Sequence, residues 1–384
     1  MRNGTLRPGP RLCTWAAAFA LVVALMAASA APASALPAKF WGVVPQATPS
    51  AEQFLRLKRG GADSVRLPIS WSSVQPTPNG PLDFSGTDSA IATTAAARLE
   101  VLPFLFEAPQ WAVPRSAVPG SGGLVTAPRF LPVRNAKQKV NWKRFLIGAV
   151  RRYGPRGTFW AENPQLPKIP IRNWQIWNEA NFKYFVVRPN PAEYGKLVKL
   201  SYAAIKAADR GARVILGGLF SRPAEALIKR GPPQAYFASD FLRQMYRRTP
   251  GIQRRFDGIS LHPYTGNYKR LKPYIEEVRR VQRANRDLGK GLWITELGWS
   301  SEPRRSKNDG FAKGPRGQAV QLKGAFRLLR AQQRRWRVQR VYWFSVNDQP
   351  GSCNFCDGSG LFGDGFVPKP AWYAYVRFAG GRAG

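Results

Sequence analysis

The chain has 384 residues, 44% hydrophobic and 21% charged, and its 59 Lys and Arg against 22 Asp and Glu leave a formal charge of +37. That hydrophobic share is globular and excludes a disordered polyelectrolyte. Three cysteines and one histidine are too few for a disulfide scaffold or a His-rich metal site, and no Gly-x-Gly-x-x-Gly or P-loop run marks a nucleotide fold.

The chain opens with Arg2, Arg7 and Arg11, an apolar run from Ala16 to Ala28, and Ala33-Ser34-Ala35. Positive start, short apolar core and small-x-small site make residues 1–35 a secretory signal peptide. The apolar run is shorter than the ~20 residues a membrane span needs, and no later stretch approaches that length. The expectation is a secreted, extracellular protein of residues 36–384 with no transmembrane segment. Its charge is +34, because the signal removes three arginines and no acid.

Basic residues recur as dispersed pairs, Arg151-Arg152, Arg247-Arg248, Arg254-Arg255, Arg279-Arg280 and Arg334-Arg335. Most stand late in helix-like segments, where cations complement the helix dipole. A nucleic-acid binder concentrates them in one stripe, so no nucleic-acid partner is expected. An anionic cell-envelope polymer or acidic polysaccharide would be attracted at long range; an arginine-biased composition without functional meaning is the alternative.

Eight strand-like runs follow in order: Phe40–Pro45, Ser64–Trp71, Glu100–Phe106, Asn173–Trp177, Arg213–Phe220, Gly258–His262, Leu292–Leu297 and Arg340–Val346. Several are almost continuously apolar, as parallel strands covered on both faces should be. Helical patterns lie between them. The clearest starts at Asn190 as N-cap with Pro191 at the first helical position and Glu193 placed to reach back. Its stripe is Tyr194, Leu197, Val198, Ser201, Ile205 and Ala208, and Gly211 closes it. Leu322, Ala325, Phe326 and Leu329 repeat the pattern. Eight strands with crossovers predict an α/β fold, a single (β/α)8 barrel. An open doubly wound sheet is the runner-up, but it normally has fewer strands and a nucleotide-type glycine turn. Three long connections, Ala108–Lys137, Ser300–Gly314 and Asn347–Pro370, fall on the face where barrels build active sites.

Cys13 leaves with the signal. Cys353 and Cys356, spaced Cys-x-x-Cys, then predict a small disulfide loop in an oxidising compartment. A redox motif would want a thioredoxin-like pattern and zinc two further ligands; neither is present nearby.

Two acids end apolar strands, Glu179 in Trp174-Gln175-Ile176-Trp177-Asn178-Glu179-Ala180-Asn181 and Glu296 in Leu292-Trp293-Ile294-Thr295-Glu296-Leu297-Gly298-Trp299. The strand count puts them on strands four and seven, which can aim side chains into one central cleft. Two carboxylates converging in an aromatic-lined cleft are the equipment for hydrolysing a glycosidic bond. The plainer reading is a structural ion pair at each strand end.

These two runs resemble clan A glycoside hydrolases, retaining enzymes near families 39 and 5, over the whole mature chain. The resemblance implies Glu179 as acid/base, Glu296 as nucleophile, and Asn178 as the hydrogen-bond partner of the sugar hydroxyl beside the reacting carbon. Arg66, in Ser64-Val65-Arg66-Leu67-Pro68-Ile69-Ser70-Trp71, looks like the clan's arginine beside the nucleophile, or is a structural ion pair. His262 and Tyr264 resemble the arrangement at the end of strand six. There Tyr264 orients Glu296, and His262 meets substrate or the carboxylate network. Trp343 matches the strand-eight sugar platform, with barrel core as its alternative. Glu107 and Trp111 depart from the clan at strand three: Glu107 either binds a hydroxyl or neutralises a nearby Arg. Trp111, Phe182, Tyr184 and Trp299 are stacking candidates or loop packing.

The resemblance implies a carbohydrate substrate, double displacement and no metal or cofactor. A transglycosylase is the alternative within the class. A non-catalytic glycan- or envelope-binding barrel is the alternative outside it, and such a binder needs neither glutamate.

Overall fold

Short runs buried on both faces make the strands, so backbone pairing and side-chain burial select the same segments. The structure, a computed structural model, describes residues 36–113, 130–229, 231–303, 310–351 and 356–384, with Met1, Gly4 and Thr5. The signal-peptide core and Cys353, hence the Cys353–Cys356 pair, lie outside the described residues. Cys356 is buried.

Residues Ala38–Gly384 form one unit. Its strands are β1 (Trp41–Val44), β2 (Ser64–Ser70), β3 (Glu100–Phe106), β4 (Asn173–Ile176), β5 (two segments, Arg213–Leu216 and Leu219–Phe220), β6 (Gly258–His262), β7 (Gly291–Ile294) and β8 (Val338–Phe344). All pair in parallel, each with its sequence neighbour, and Trp41 to Val44 of β1 align with Val341 to Phe344 of β8. Pairing the first strand with the last closes a (β/α)8 barrel, as expected, and leaves no sheet edge.

Among the described residues eight longer helices surround it: α1 (Ala51–Arg59), α2 (Ser85–Ala96), α3 (Ala136–Tyr153), α4 (Pro191–Ala208), α5 (Ala238–Arg248), α6 (Leu271–Ala284), α7 (Gly314–Ala331) and α8 (Pro370–Ala379). In α4 the Asn190 side chain accepts from the Ala192 and Glu193 amides, as a cap should. Glu193 does not reach back to the cap. Its carboxylate accepts from Arg134 instead, and Asp209 rather than Gly211 caps the end. Leu322, Ala325, Phe326 and Leu329 are all fully buried beneath α7. Among the described residues no helix is long and apolar enough to cross a membrane.

Two features position the site. At the N-terminal mouth Glu100 accepts from Lys39, Arg340 and Asn173, tying β3, β8 and β4 together where barrel contacts serve stability. At the other end β5 is broken by Gly217-Gly218. A Cβ at Gly217 would stand 2.7 Å from the Ile176 carbonyl, and one at Gly218 only 1.8 Å from His262 Nε2. The glycines let β5 pass close enough for Glu179 N to donate to Gly218 O at 3.0 Å.

Candidate active site

Both glutamates lie just beyond their strands, Glu179 three residues past β4 and Glu296 two past β7. The expected strand ran on to Leu297. Its pairing stops at Ile294, and the freed turn directs Glu296 inward. Glu107, Trp177 and Glu179 have positive φ, 60°, 69° and 40°. This backbone is strained for non-glycine residues and clusters at functional sites, and here it marks the rim over β3 and β4.

Arg66 is 1% exposed and is the hub. Its Nη1 donates to Glu296 Oε1, Nη2 to Asn178 Oδ1 and Nε to Gln175 Oε1, each at 2.7 Å. The Phe104 ring lies under the guanidinium, 4.0 Å from its carbon. Tyr264 donates its phenol proton to Glu296 Oε2 at 2.9 Å. His262 Nδ1 stands 2.7 Å from Glu179 Oε1 and 3.4 Å from Glu296 Oε2, and its Nε2 is 3.0 Å from Thr295 Oγ1. One atom each from Glu179, His262 and Glu296 lie within 4.8 Å of one another. Such a trio can offer ligands to a cation, but the Arg66 guanidinium already supplies the positive charge beside it.

The two carboxyl groups are pushed apart electrostatically. Burial, then the Glu296 charge, hold the Glu179 carboxyl well above its ordinary range, with Arg66 opposing. Burial also raises Glu296, but Arg66 and the Tyr264 hydrogen bond pull against it. The group with the cation is thereby the better anion and its neighbour the better acid. Burial and Arg66 hold His262 well below its usual range, so the imidazole is neutral. Burial and Glu296 keep the Tyr264 phenol protonated.

Arg66, Asn178, Glu179, His262, Tyr264 and Glu296 therefore meet. Glu107 is buried on the neighbouring strand end. Burial raises its carboxyl against a hydrogen bond from Ser70, and among the described residues no Arg neutralises it. Trp111 donates from Nε1 to Gln75 O and packs edge-on against Trp71, 5.5 Å away; it is anchored in the β3 loop.

Trp343 is the correction. It is fully buried and packs on Phe326 of α7 and on Trp299 at 6.3 and 6.1 Å, its Nε1 donating to Ser359 O. Alternation along β8 turns Trp343 to the helices and Tyr342 and Phe344 to the barrel interior, so Trp343 offers no open face to a sugar. Trp299 is likewise sealed, donating to Thr265 O.

Phe344, Phe220 and Phe311, overlooked in the sequence, complete the wall together with the stacking candidates Phe182 and Tyr184. Phe344, Phe220 and Phe311 pack around Tyr264, Phe182 stacks on Phe220 at 4.9 Å, and Tyr184 meets Phe182 edge-on. An aromatic row thus runs from the exposed Tyr184 down to the residue that holds Glu296. Gln175 and Thr295 lie beneath the carboxylates. The available signal was a polar residue interrupting an apolar run, as Gln175 does between Trp174 and Ile176.

Residues 177–369 match the family described as glycosyl hydrolase catalytic core. No curated protein matches the chain. Among solved structures, a family 39 glycoside hydrolase from Bacteroides cellulosilyticus is 19% identical with TM-score 0.59, covering 89% of this chain and 64% of its own. A monomeric beta-xylosidase from Caulobacter crescentus is 16% identical with TM-score 0.58, covering 89% and 69%. Xylanase 10B from Thermotoga maritima is 15% identical with TM-score 0.57, covering 89% and 94%. The chain thus spans less than two thirds of the family 39 protein, and at these identities the likeness is one of fold.

Proposed function

The chain belongs to the glycosyl hydrolase catalytic core family, and from that footing we propose that it is a secreted, retaining enzyme that cleaves O-glycosidic bonds of a poly- or oligosaccharide. The observation that carries this reading is the unequal environment of two close carboxyl groups. Retaining enzymes keep them ~5–5.5 Å apart, and inverting ones leave ~6.5–9.5 Å for a water. Oxygens of Glu179 and Glu296 within 4.8 Å support the shorter arrangement.

Glu296, held ionised by Arg66 and Tyr264, attacks the anomeric carbon. The C–O bond breaks toward the leaving oxygen, which takes the Glu179 proton. Glu296 is then an uncharged ester, so the charge that raised Glu179 disappears and Glu179 becomes a usable base. It takes a proton from water as that water displaces Glu296. Asn178, held by Arg66, faces the sugar. Phe344 rather than Trp343 takes the platform role, continued by Phe220, Phe182 and Tyr184.

Residues 1–35 direct export, and in that compartment Cys353 and Cys356 pair. The +34 of the remaining chain attracts anionic envelope polymers. A xylan-type substrate is in line with two of the structural neighbours, a beta-xylosidase and a xylanase.

NMR of the first-formed product tests the mechanism: the anomer should be retained before mutarotation. An inverted anomer overturns double displacement and leaves the fold untouched.

A further inference from the structure

We propose that Gln175 and Thr295 are positioning residues that fix His262 as its Nδ1–H tautomer, which makes Glu179 Oε1 a hydrogen-bond acceptor and leaves the acid proton on Oε2. The consequence for catalysis rests on the acid/base reading of Glu179; the tautomer itself does not.

The direction of each bond follows from the donors. A guanidinium only donates, so Arg66 Nε fixes Gln175 Oε1 as the acceptor end of its amide. The Nε2 end has two hydrogens: one goes to Ser260 Oγ at 2.6 Å, and of the two acceptors at 3.3 Å, Leu216 O and Thr295 Oγ1, the second goes to Thr295, because Leu216 O already receives the Ser260 proton. Ser260 sends its own proton to Leu216 O. Thr295 Oγ1, accepting from Gln175, has one proton to give, and its other hydrogen-bond neighbour among the described residues is His262 Nε2 at 3.0 Å. Were Nε2 the donor, the fully buried Thr295 hydroxyl would accept twice and its own proton would lack an acceptor; Nε2 therefore accepts. A neutral imidazole has one donor and one acceptor, so the hydrogen sits on Nδ1, 2.7 Å from Glu179 Oε1.

A carboxylic acid that accepts at one oxygen carries its proton on the other. With Oε1 engaged, Oε2 holds the proton that goes to the leaving oxygen as the glycosidic bond breaks. The Nδ1–H bond then stays on the carboxylate until Oε2 takes a proton from water. In the opposite tautomer Nδ1 would accept the Glu179 proton and hold it away from the sugar. Gly218 leaves the ring room to sit here, since a Cβ at that position would stand 1.8 Å from His262 Nε2.

The chain has one histidine, so nitrogen NMR of the 15N-labelled enzyme reads a single imidazole. The expected spectrum has a protonated Nδ1 and a bare Nε2; the reverse tautomer or an imidazolium overturns the proposal. This readout holds whether the enzyme retains or inverts. Thr295→Val should lower kcat on glycosides with poor leaving groups on the order of tenfold, short of the ~100-fold or more that a whole general acid supplies. Glycosides with activated leaving groups should change little, and Thr295→Ser should restore both. Equal loss on the two substrate types, or no loss, overturns the positioning role. If Thr295→Val does not fold, the parent spectrum and Thr295→Ser still decide.

Discussion

At the scale of single residues, one guanidinium organises the site. Arg66 touches Glu296, Asn178 and Gln175 at once, so its charge and its shape are both used, and Lys could not reproduce the three directions. Because Arg66 opposes the rise of both carboxyl groups, its loss has a definite sign. On the proposed mechanism, activity should fall at low pH as Glu296 gains a proton and at high pH as Glu179 loses one. In Arg66→Met the acid limb should move up, because the cation that opposes the rise of Glu296 is gone. The basic limb should move up less, since Arg66 bonds Glu296 and only influences Glu179 through space. A pH profile of kcat/KM measures both limbs; an unmoved acid limb contradicts the role given to Arg66.

At the scale of elements, a helix side chain holds the turn that carries Glu179. Tyr194 of α4 donates to Ile176 O at 2.9 Å and accepts from Gly217 N at 2.7 Å. It bridges the end of β4 to the break in β5, directly below Asn178 and Glu179. Tyr194→Phe keeps the ring and leaves two buried backbone groups without a partner, at ~1–3 kcal/mol. The expected result is a lower urea midpoint with an unchanged m-value, and a lower kcat, because the turn carrying Glu179 loosens. Parent-like stability would mean that water or a backbone shift replaces the hydroxyl.

At the scale of the whole molecule, the charge remains after the site is accounted for. Each buried site acid other than Glu107 has its cation or imidazole, while the 59 basic residues of the chain far outnumber its 22 acids. Retention on a carboxylated polysaccharide should be strong at low ionic strength and lost near about 1 M salt, where the Debye length is ~3 Å. Turnover of a small neutral glycoside should not follow salt. Salt-independent retention would mean that the polymer is held by the cleft and not by the field.

What was legible beforehand follows from periodicity. The barrel showed because eight apolar runs alternate with amphipathic stretches, and both glutamates showed because an acid among tryptophans is conspicuous in a chain poor in acids. Asn190 was legible as a cap because capping is local. The Glu193 partner was not, since Arg134 reaches it only after α3 and α4 are packed. Trp343 and Phe344 are neighbours in sequence, and which of them faces the barrel interior depends on where β8 joins the alternation of the closed barrel, one residue being enough to reverse it. Gln175 and Thr295 are ordinary polar residues until closure brings β4, β6 and β7 around one axis. Local sequence therefore marked Glu179 and Glu296 as the candidate pair. Only the closed barrel decided their order of contact, because hydrogen bonds between residues as far apart as Arg66 and Glu296 exist only once first and last strands have met.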